Sequence, residues 1–516
     1  MEETTNKNKH PKMQNDDDNT TAGAAAEWLI ETILNSGATL FHDQRNVSYI
    51  AYDGDGTHVD RLASTDFEQW LSYVYWQEAH KSMPGGTGGK VIQTLTGHAR
   101  HEGIRYELSV RHAKNERGLW YDLGDSSAVH VTADGWQIDK RPPILFRRYS
   151  HQEPQVQPTT GGDLELLRPF INIAENDNGT WLLFLVNLIT AFVPGFPHPI
   201  LVLHGPQGAG KTTPMRVMKK LLDPSVLQGT LLPTKEADFA QLAEHHAFLF
   251  FDNLSNISPK MSDALARAST GDGFNTRELY TTDNDFIRII QRPIAMNGIN
   301  QVVTKPDLLD RSILIKLKRI SKEQRQPEEA YWQAFNGIRP QLLGAIFDVL
   351  AKALALYPDI ELEVAPRMAD FARLGSAIAE ALGSSQQKFI QAYQDNIDLQ
   401  NEEAIEASPV AKAVIMLMSE RDEWEGMPAE LLSLLTRRYD TFNLSSSPSW
   451  PKAPEWMTRR LIEVQTNLEV IGILVEIRRT NEGRQIRLTK TANFADSTDI
   501  PFRDEDDSMS AMSVSS

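Results

Sequence analysis

The sequence predicts an α/β protein with a parallel β-sheet at its centre. Three apolar runs support this prediction, and each of them ends in residues suited to a turn or a site. Ile200–Leu203 leads directly into a glycine-rich stretch, His246–Asn253 ends in Asp252 and Asn253, and Arg292–Asn297 ends in an amide. Short apolar runs of this kind are typical of strands buried on both faces, whose carboxyl ends meet at one edge of a parallel sheet.

Composition bounds the class of protein. At 516 residues, with 41% hydrophobic and 23% charged residues, the chain has room for about three ordinary globular domains. It has no cysteine, which excludes disulfides and thiolate zinc sites and favours a cytoplasmic location. The apolar run Trp181–Val193 is too short to span a bilayer, so we expect a buried helix and no membrane partner. The net charge of −17 argues against a surface that coats nucleic acid, so any such contact must come from local basic patches or a lined channel.

The order of patterns predicts several units along the chain. Long helices are expected at Glu328–Leu356 and Met368–Leu399, and an alternating strand at Ile104–Arg111. The residues of the unit at 22–150 do not indicate its role. The predicted units are a polar disordered tail (1–21), an α+β accessory domain (22–150), a core with leading helices (163–320), a helical lid (321–405), a domain of three helices and a hairpin (406–490), and an acidic disordered tail (491–516).

The strongest motif lies at residues 205–212, which match the phosphate-loop pattern G-x-x-x-x-G-K-[ST] at every fixed position. Glycines allow the backbone N–H groups to curl around a phosphate, and the next helix adds its N-terminal dipole. Lys211 is expected to reach the β- and γ-phosphates and Thr212 to hold Mg²⁺. The alternative is a glycine turn without chemical consequence. The predicted ligands are ATP and Mg²⁺, held by Gly205, Pro206, Gln207, Gly208, Ala209, Gly210, Lys211, Thr212 and Thr213.

Three further residues are candidates for catalysis. Asp252 ends a predicted strand beside the loop, where a carboxylate would hold Mg²⁺. Asn297 ends another strand and is expected to orient the attacking water, unless it merely caps a turn. Arg311 is expected to reach the ATP of a neighbouring subunit as an arginine finger, with a local ion pair to Asp307 or Asp310 as the alternative.

Two predicted hairpins carry candidate DNA contacts. The first places residues 278–282 and 286–291 around the turn 283–285, with Arg277 and Arg288 on or near it. The second follows three helices near the C-terminus, an order typical of a winged helix. Its candidates are Arg459 and Arg460 on the third helix and Arg484 on the hairpin. Because winged helices also dock proteins, the partner of this unit stays open between DNA and protein.

This order of phosphate loop, Asp-ending strand, inserted hairpin, Asn-ending strand and arginine resembles the superfamily 3 helicases. These are AAA+ ATPases of viruses, phages and plasmids, related to the helicase part of poxvirus-type primase-helicases. The resemblance covers about residues 180–350, and more loosely the lid and the winged helix. It implies a ring, usually a hexamer, with ATP at subunit interfaces and hairpins that grip one DNA strand in a central channel.

Two positions depart from this family. Asn253 stands where many relatives carry a second acidic residue, and an amide orients water but does not accept its proton. The expected catalytic set is therefore Lys211, Asp252, Asn253, Asn297 and Arg311, without an assigned base. The hairpin tip is also acidic, at Asp283 and Asp285, where relatives often present a basic residue.

The leading interpretation is an ATP- and Mg²⁺-dependent ring helicase that translocates on single-stranded DNA in phage or mobile-element replication. Its expected partners are single-stranded or forked DNA, further copies of the same chain, and replication or loader proteins. One alternative is an AAA+ loader or switch that acts on protein partners without unwinding DNA, which the acidic charge balance favours. Another is a primase-helicase whose residues 22–150 make primers.

Overall fold

The computed structural model describes residues 21–53, 57–277, 285–298, 303, 305–321, 325–439, 447, 449–480, 483–492 and 494. Residues 1–20 of the predicted N-terminal tail, residues 493 and 495–516 of the predicted C-terminal tail, and residues 481–482 therefore lie outside the described residues. The α-helices are α1 (Ala22–Asn35), α2 (Thr65–Ala79), α3 (Thr87–His101), α4 (Asn178–Thr190), α5 (Thr212–Leu222), α6 (Glu236–His245), α7 (Pro259–Thr270), α8 (Pro306–Leu309), α9 (Glu328–Leu356), α10 (Ala369–Ala381), α11 (Gln386–Ala407), α12 (Pro409–Ser419), α13 (Pro428–Tyr439) and α14 (Pro454–Val470). The strands are β1 (Thr39–His42), β2 (Ser48–Asp53), β3 (Thr57–Arg61), β4 (Ile104–Arg105), β5 (His112–Asn115), β6 (Gly118–Asp122), β7 (Ala128–Thr132), β8 (Gly135–Asp139), β9 (Ile200–His204), β10 (Leu249–Leu254), β11 (Gly273–Arg277), β12 (Asp285–Ile289), β13 (Ile294–Gly298), β14 (Ser312–Lys316), β15 (Glu423–Gly426), β16 (Ile473–Thr480) and β17 (Gly483–Lys490).

The mixed α/β class is confirmed, and its centre is the four-stranded sheet β10-β13-β9-β14. Every neighbouring pair in this sheet is parallel, so all four carboxyl ends lie at one edge. The buried strand residues have aliphatic and aromatic side chains on both faces, as the continuous apolar runs predict. The sheet therefore places residues from distant parts of the chain next to one another at this edge.

The N-terminal part packs as two bodies. Helices α1, α2 and α3 cover the sheet β3-β2-β1-β4 and share a core of their own, which includes Leu29, Phe67 and Leu95. By contrast, the antiparallel sheet β5-β6-β7-β8 packs on α9, where the Trp136 Nε1 atom donates to Asp348 Oδ1 at 2.8 Å. Side chains of β6 and β7 join the same core as the central sheet. We therefore propose a domain boundary inside the expected 22–150 unit, before β5.

Two sequence predictions of element length were wrong. The strand expected at Ile104–Arg111 covers only 104–105, because the chain leaves the sheet and Arg111, with φ +59°, turns it into β5. The helix expected at Met368–Leu399 is two helices, α10 and α11. Gly383 has φ +78° and its N–H donates to Glu380 O at 2.9 Å, which ends α10. Ser385 then caps α11 by accepting from Lys388 N.

The helix α9 and its short continuation form a span, Glu328–Asp359, that is long and apolar enough to cross a membrane by length and composition. Half of the most apolar 18-residue stretch of this span is buried inside the protein. It packs against the β5–β8 sheet and α10, with Phe335, Leu342 and Phe347 in the core. A core helix of a globular protein has these properties.

The C-terminal part has its own core, formed by α12, α13, α14 and the antiparallel sheet β15-β17-β16. The strand β16 begins at Ile473, since α14 continues to Val470 and Gly472 (φ +89°) turns the chain. The short strand β15 was missed by the sequence reading, because its residues alternate between exposed and half-buried. β16 lies at one edge of this sheet.

Candidate nucleotide-binding site

The glycine-rich turn lies between the end of β9 and the start of α5. Gly205, Gly208 and Gly210 have φ values of +151°, +82° and +68°, a region that L-residues with a side chain rarely adopt. A Cβ atom on Gly205 would also lie 2.6 Å from Leu317 O, and one on Gly210 2.8 Å from Ile320 Cδ1. Both conformation and space therefore require glycine. The crest of the loop, Pro206 and Gln207, is exposed, whereas Ala209 is buried beneath it.

Lys211 and Thr212 lie where the loop becomes helix α5. The Lys211 Nζ atom donates to Gly205 O at 2.7 Å and to Pro206 O at 3.3 Å, so the ammonium group already lies inside the curl of the loop. The Thr212 hydroxyl donates to Asp252 Oδ1 at 3.0 Å. Thr213 N–H closes the first turn on Gly210 O at 3.2 Å. A hydroxyl and a carboxylate oxygen at this distance are the ligand types that Mg²⁺ takes together with phosphate oxygens.

A local irregularity of β10 places Asp252. The register of β10 against β13 shifts between Phe251 and Leu254, and Asn253 between them has φ +56°. Bulges of this kind bend a strand and change the direction of its side chains, and they are frequent at functional sites. Asparagine is one of the few residues other than glycine that tolerates this left-handed conformation. The asparagine at position 253 therefore allows the backbone to adopt this conformation, in addition to any role in the reaction.

Asn297 connects β13 to this bulge. It is 2% exposed, and its Oδ1 atom accepts the Asn253 N–H at 2.8 Å. Within the described part of the chain, its Nδ2 atom has no hydrogen-bond acceptor. A buried amide donor without an acceptor costs about 1–3 kcal/mol. The unused donor fits a ligand oxygen or a water at the end of the neighbouring strand β9, whose Leu203 is its register partner.

Arg311 lies at the other end of the sheet. Its carbonyl accepts the Ile200 N–H, the first of the five residues of β9, whereas the phosphate loop follows the last. Since a strand rises about 3.3 Å per residue, roughly 16 Å separate Arg311 from the loop of its own chain. The guanidinium contacts Asp307, the local pairing that the sequence left open. Arg367 contacts Asp307 at 2.6 Å and also Asp310. Burial opposes ionisation of Asp307, but hydrogen bonds and charges from Arg311 and Arg367 outweigh it and lower its pKa.

The inserted hairpin precedes β13, where the sequence places it. β11 and β12 are antiparallel, with Arg277 opposite Asp285 and Arg288 opposite Phe274. The first arm begins at 273, earlier than the predicted 278–282, and the tip residues 278–284 lie outside the described residues. The side chains of Arg277 and Arg288 also lie outside them. The hairpin is anchored by Phe274, which is fully buried and packs on Phe239, with the Arg267 guanidinium 4.7 Å from its ring centre.

The C-terminal candidates lie on α14 and β17. The Arg459 guanidinium lies 5.0 Å from the ring centre of the half-exposed Trp456, and Arg460 pairs with Glu463 at 2.7 Å. Arg484 lines an open groove between α14 and β16, together with Arg478. These arginines are separate from the phosphate-loop site in the described structure. The structure thus brings together Lys211, Thr212, Asp252, Asn253 and Asn297, and leaves the remaining candidates elsewhere.

Three residues near the loop were missed by the sequence reading. Asn172 Nδ2 donates to Ala209 O at 3.2 Å, and Ile320 N–H donates to Gly208 O at 3.2 Å. A guanidinium nitrogen of Arg325 lies 3.9 Å from the position that a Gly208 Cβ would take. The basic residues after β14 were a usable signal for Arg325, whereas Asn172 precedes the loop by more than thirty positions and belongs to no motif.

A buried ionic network lies at the opposite ends of α5 and β10. Asp223 is fully buried and accepts from Lys219 Nζ at 2.8 Å and from Ala247 N–H at 3.0 Å, with Arg111 Nε at 3.5 Å. Burial opposes its ionisation, but the charges of Lys219 and Arg111 hold the pKa of Asp223 well below its usual range. Burial and then the charge of Lys219 lower the pKa of His246 to about 3. The network joins the helix that carries Thr212 to the strand that carries Asp252.

Comparison with known proteins identifies a replication family. The model described as "Actinomycete integrative conjugative element replication protein" matches residues 164–403, and the model "AICE RepA C-terminal domain" matches residues 410–504. No curated protein matches. Similar solved structures include the NrS-1 C-terminal region, 13% identical, which covers 90% of this chain and 99% of its own with a TM-score of 0.43. Another is "SCCmec type IV Cch - active helicase", 10% identical, with coverages of 88% and 92% and a TM-score of 0.44.

The two family matches follow one another and together span well over half of the chain. The first contains the phosphate loop, Asp252, Asn297 and Arg311, and the second contains α12 to β17. Over these two ranges the chain matches the replication-protein family of actinomycete integrative conjugative elements.

Proposed function

We propose that this replication protein is an ATP- and Mg²⁺-dependent DNA helicase that works as a homo-oligomeric ring, usually a hexamer, in the cytoplasm. The observation that carries the proposal is the hydrogen bond from Thr212 to Asp252 at the carboxyl edge of the parallel sheet, directly beside Lys211. In this assignment, 163–320 is the AAA+ ATPase core, 321–405 the lid and 406–490 a winged helix.

The residues of the loop have distinct roles in the proposed reaction. Backbone N–H groups of 205–213 bind the phosphates, and Lys211 moves from the Gly205 carbonyl to the β- and γ-phosphates when ATP binds. Thr212 and Asp252 would hold Mg²⁺, which neutralises phosphate charge. The Asn297 Nδ2 atom orients the attacking water. Asn253 supplies a backbone N–H to Asn297 and accepts no proton, so it fixes the sensor amide without acting as the base.

Hydrolysis in this proposal needs a second subunit. Arg311 lies at the edge of the sheet opposite to its own phosphate loop, and so it can act as an arginine finger only on the ATP of a neighbour. Its contact with Asp307 holds it at this edge in the single chain. The hairpin β11–β12, with Arg277 and Arg288, would line the channel for single-stranded DNA, and Arg459, Arg460 and Arg484 would contact the duplex.

The proposal is tested by steady-state ATP hydrolysis with and without single-stranded DNA. We expect DNA to stimulate hydrolysis in the wild type, and Lys211→Ala to abolish it. Mixing subunits tests the ring: Arg311→Ala and Lys211→Ala are each expected to be inactive alone. When mixed, they form interfaces with one intact loop and one intact finger, so activity returns. If Arg311→Ala alone stays active, or if mixing the two inactive variants does not restore activity, the finger assignment is wrong.

The loader or switch is a second candidate, because the exposed face of α14 carries both acidic and basic side chains. Glu455, Glu463 and Glu469 are exposed there beside Arg459, which suits a protein surface better than a phosphate backbone. This alternative expects a partner protein, and not DNA, to stimulate ATP hydrolysis. It also expects Arg288→Ala to leave stimulation intact, whereas the helicase proposal expects that variant to lose DNA stimulation.

A further inference from the structure

The C-terminal domain has an open groove between α14 and β16. Its volume is about 610 Å³, and its lining includes Thr458, Ile462 and Gln465 from α14 and Val475, Ile477 and Arg478 from β16, with Arg484 from β17. Ile462 is 55% exposed, an unusual exposure for a large aliphatic residue beside a groove. Because β16 is the edge strand of its sheet, its outer backbone groups face this groove. The Gln465 Nε2 atom donates to one of them, Val475 O, at 3.0 Å.

The chain leaves the domain at the start of β16, the strand that lines one side of this groove. Thr491 donates to Gly472 O through its N–H at 2.8 Å and its hydroxyl at 3.1 Å, which fixes the chain at the start of β16. Phe494 follows, with Lys490 Nζ 4.5 Å from its ring centre. The family match of the C-terminal domain continues past this point to residue 504. Residues 495–504 therefore belong to the matched domain, although they lie outside the described residues.

The chemistry of this segment complements the groove. Ile500 and Phe502 are its large apolar residues, and 495–516 contain six carboxylates and one arginine. The groove has an apolar wall and ends at Arg478 and Arg484, and it also contains Glu476, which pairs with Arg478 at 3.0 Å. Arg484 also lies opposite Arg479 in the register of the hairpin, and like charges in such positions repel each other. A carboxylate placed there reduces this repulsion.

The segment is also long enough to reach the groove. From Gly472 to Ile477 is five residues of strand, or roughly 17 Å. Ile500 and Phe502 follow Phe494 by six and eight residues, which span up to about 20–28 Å when extended. Neither apolar residue needs the domain to change shape.

We propose that residues 495–504 dock in the groove between α14 and β16, with Ile500 and Phe502 on the apolar wall and the following carboxylates against Arg478 and Arg484. The docked segment covers Arg484, which the proposed function assigns to DNA, so the expected effect on DNA binding rests on that function. The protein then carries its own acidic competitor, which DNA must displace before the domain engages.

A disulfide test measures docking directly, because the chain has no cysteine of its own. The double variant Ile462→Cys/Phe502→Cys is expected to form an intramolecular disulfide under mild oxidation, detected by mass and by mobility on a non-reducing gel. The matched control is Glu463→Cys/Phe502→Cys, since position 463 is exposed and adjacent but does not line the groove. Equal crosslinking of the two pairs overturns the proposal. Disulfides only between chains also overturn it, because a second copy would then occupy the groove.

A binding assay measures the consequence. If the segment is docked in about nine of ten molecules, the apparent DNA affinity is reduced about tenfold. Truncation after residue 494, and separately Ile500→Ser/Phe502→Ser, are expected to restore that factor while ATP hydrolysis without DNA stays unchanged. If the truncated protein binds DNA tightly but the Ile462→Cys/Phe502→Cys variant forms no specific disulfide, docking is overturned and the helicase proposal is unaffected. The specific disulfide in a protein that binds no DNA supports docking and refutes the DNA role.

Discussion

The substitution Asp223→Asn removes the negative charge from the buried network beneath the nucleotide site. Lys219 at 2.8 Å and Arg111 at 3.5 Å would then face a neutral amide inside the protein, where water does not replace the lost charge. Breaking a buried pair by removing one partner costs about 3–5 kcal/mol. An exposed pair gives the contrast: Asp263 and Lys305 lie 2.9 Å apart at the surface, and such pairs contribute less than about 1 kcal/mol.

The assay is urea unfolding followed by tryptophan fluorescence. Asp223→Asn is expected to lower the free energy of unfolding by about 3–5 kcal/mol, and the control Asp263→Asn by less than about 1 kcal/mol. Lys219→Met/Asp223→Asn is expected to cost less than the sum of its single variants, because no ammonium group remains beside the amide. Equal losses for Asp223→Asn and Asp263→Asn would refute the stabilising role of the network.

Three further outcomes are expected. Burial lowers the pKa values of His112, His198 and His246 to about 3. In the unfolded chain a histidine has a pKa of about 6.5, so it binds a proton at pH values where the folded protein keeps it neutral. Between pH 6.5 and 3, each of these histidines should therefore lower the free energy of unfolding by about 1.4 kcal/mol for every unit by which the pH decreases. Equal urea midpoints at pH 7.5 and 5.5 would contradict this expectation. Asn297→Ala should lower kcat for ATP hydrolysis about 100-fold with little change in KM, since it removes a donor aimed at the reacting water, and a change in KM alone would argue against that role. Arg325→Ala should weaken binding of a fluorescent ATP analogue about tenfold by removing a charged contact at the loop, whereas the neighbouring Arg319→Ala should not.

The sequence predicted those parts of the site that depend on local pattern. The apolar runs predict β9, β10 and β13 to within three residues at each end, and the glycine spacing predicts the phosphate loop. The expectation of a replication protein of a mobile element is confirmed by the family matches, whereas the helicase activity stays a proposal. The roles of Lys211, Asp252 and the other candidate residues stay predictions, because geometry alone does not measure a reaction.

Long-range contacts were beyond the sequence reading. Arg111 and Asp223 are more than one hundred positions apart, and the pattern around each of them gives no sign of the other. The left-handed Asn253 depends on the bulge of β10 against β13, which sequence periodicity does not encode. Likewise, the sheet β5–β8 shares its core with the ATPase part because of its packing on α9, and not because of any motif of its own.

The most direct test of the helicase proposal is strand separation of a forked DNA duplex with ATP and Mg²⁺. We expect the wild type to separate the strands, and Lys211→Ala and Asp252→Asn to leave them paired, because these variants remove the phosphate and Mg²⁺ contacts of the loop. A wild type that hydrolyses ATP at a brisk rate but leaves the fork intact would contradict the proposal.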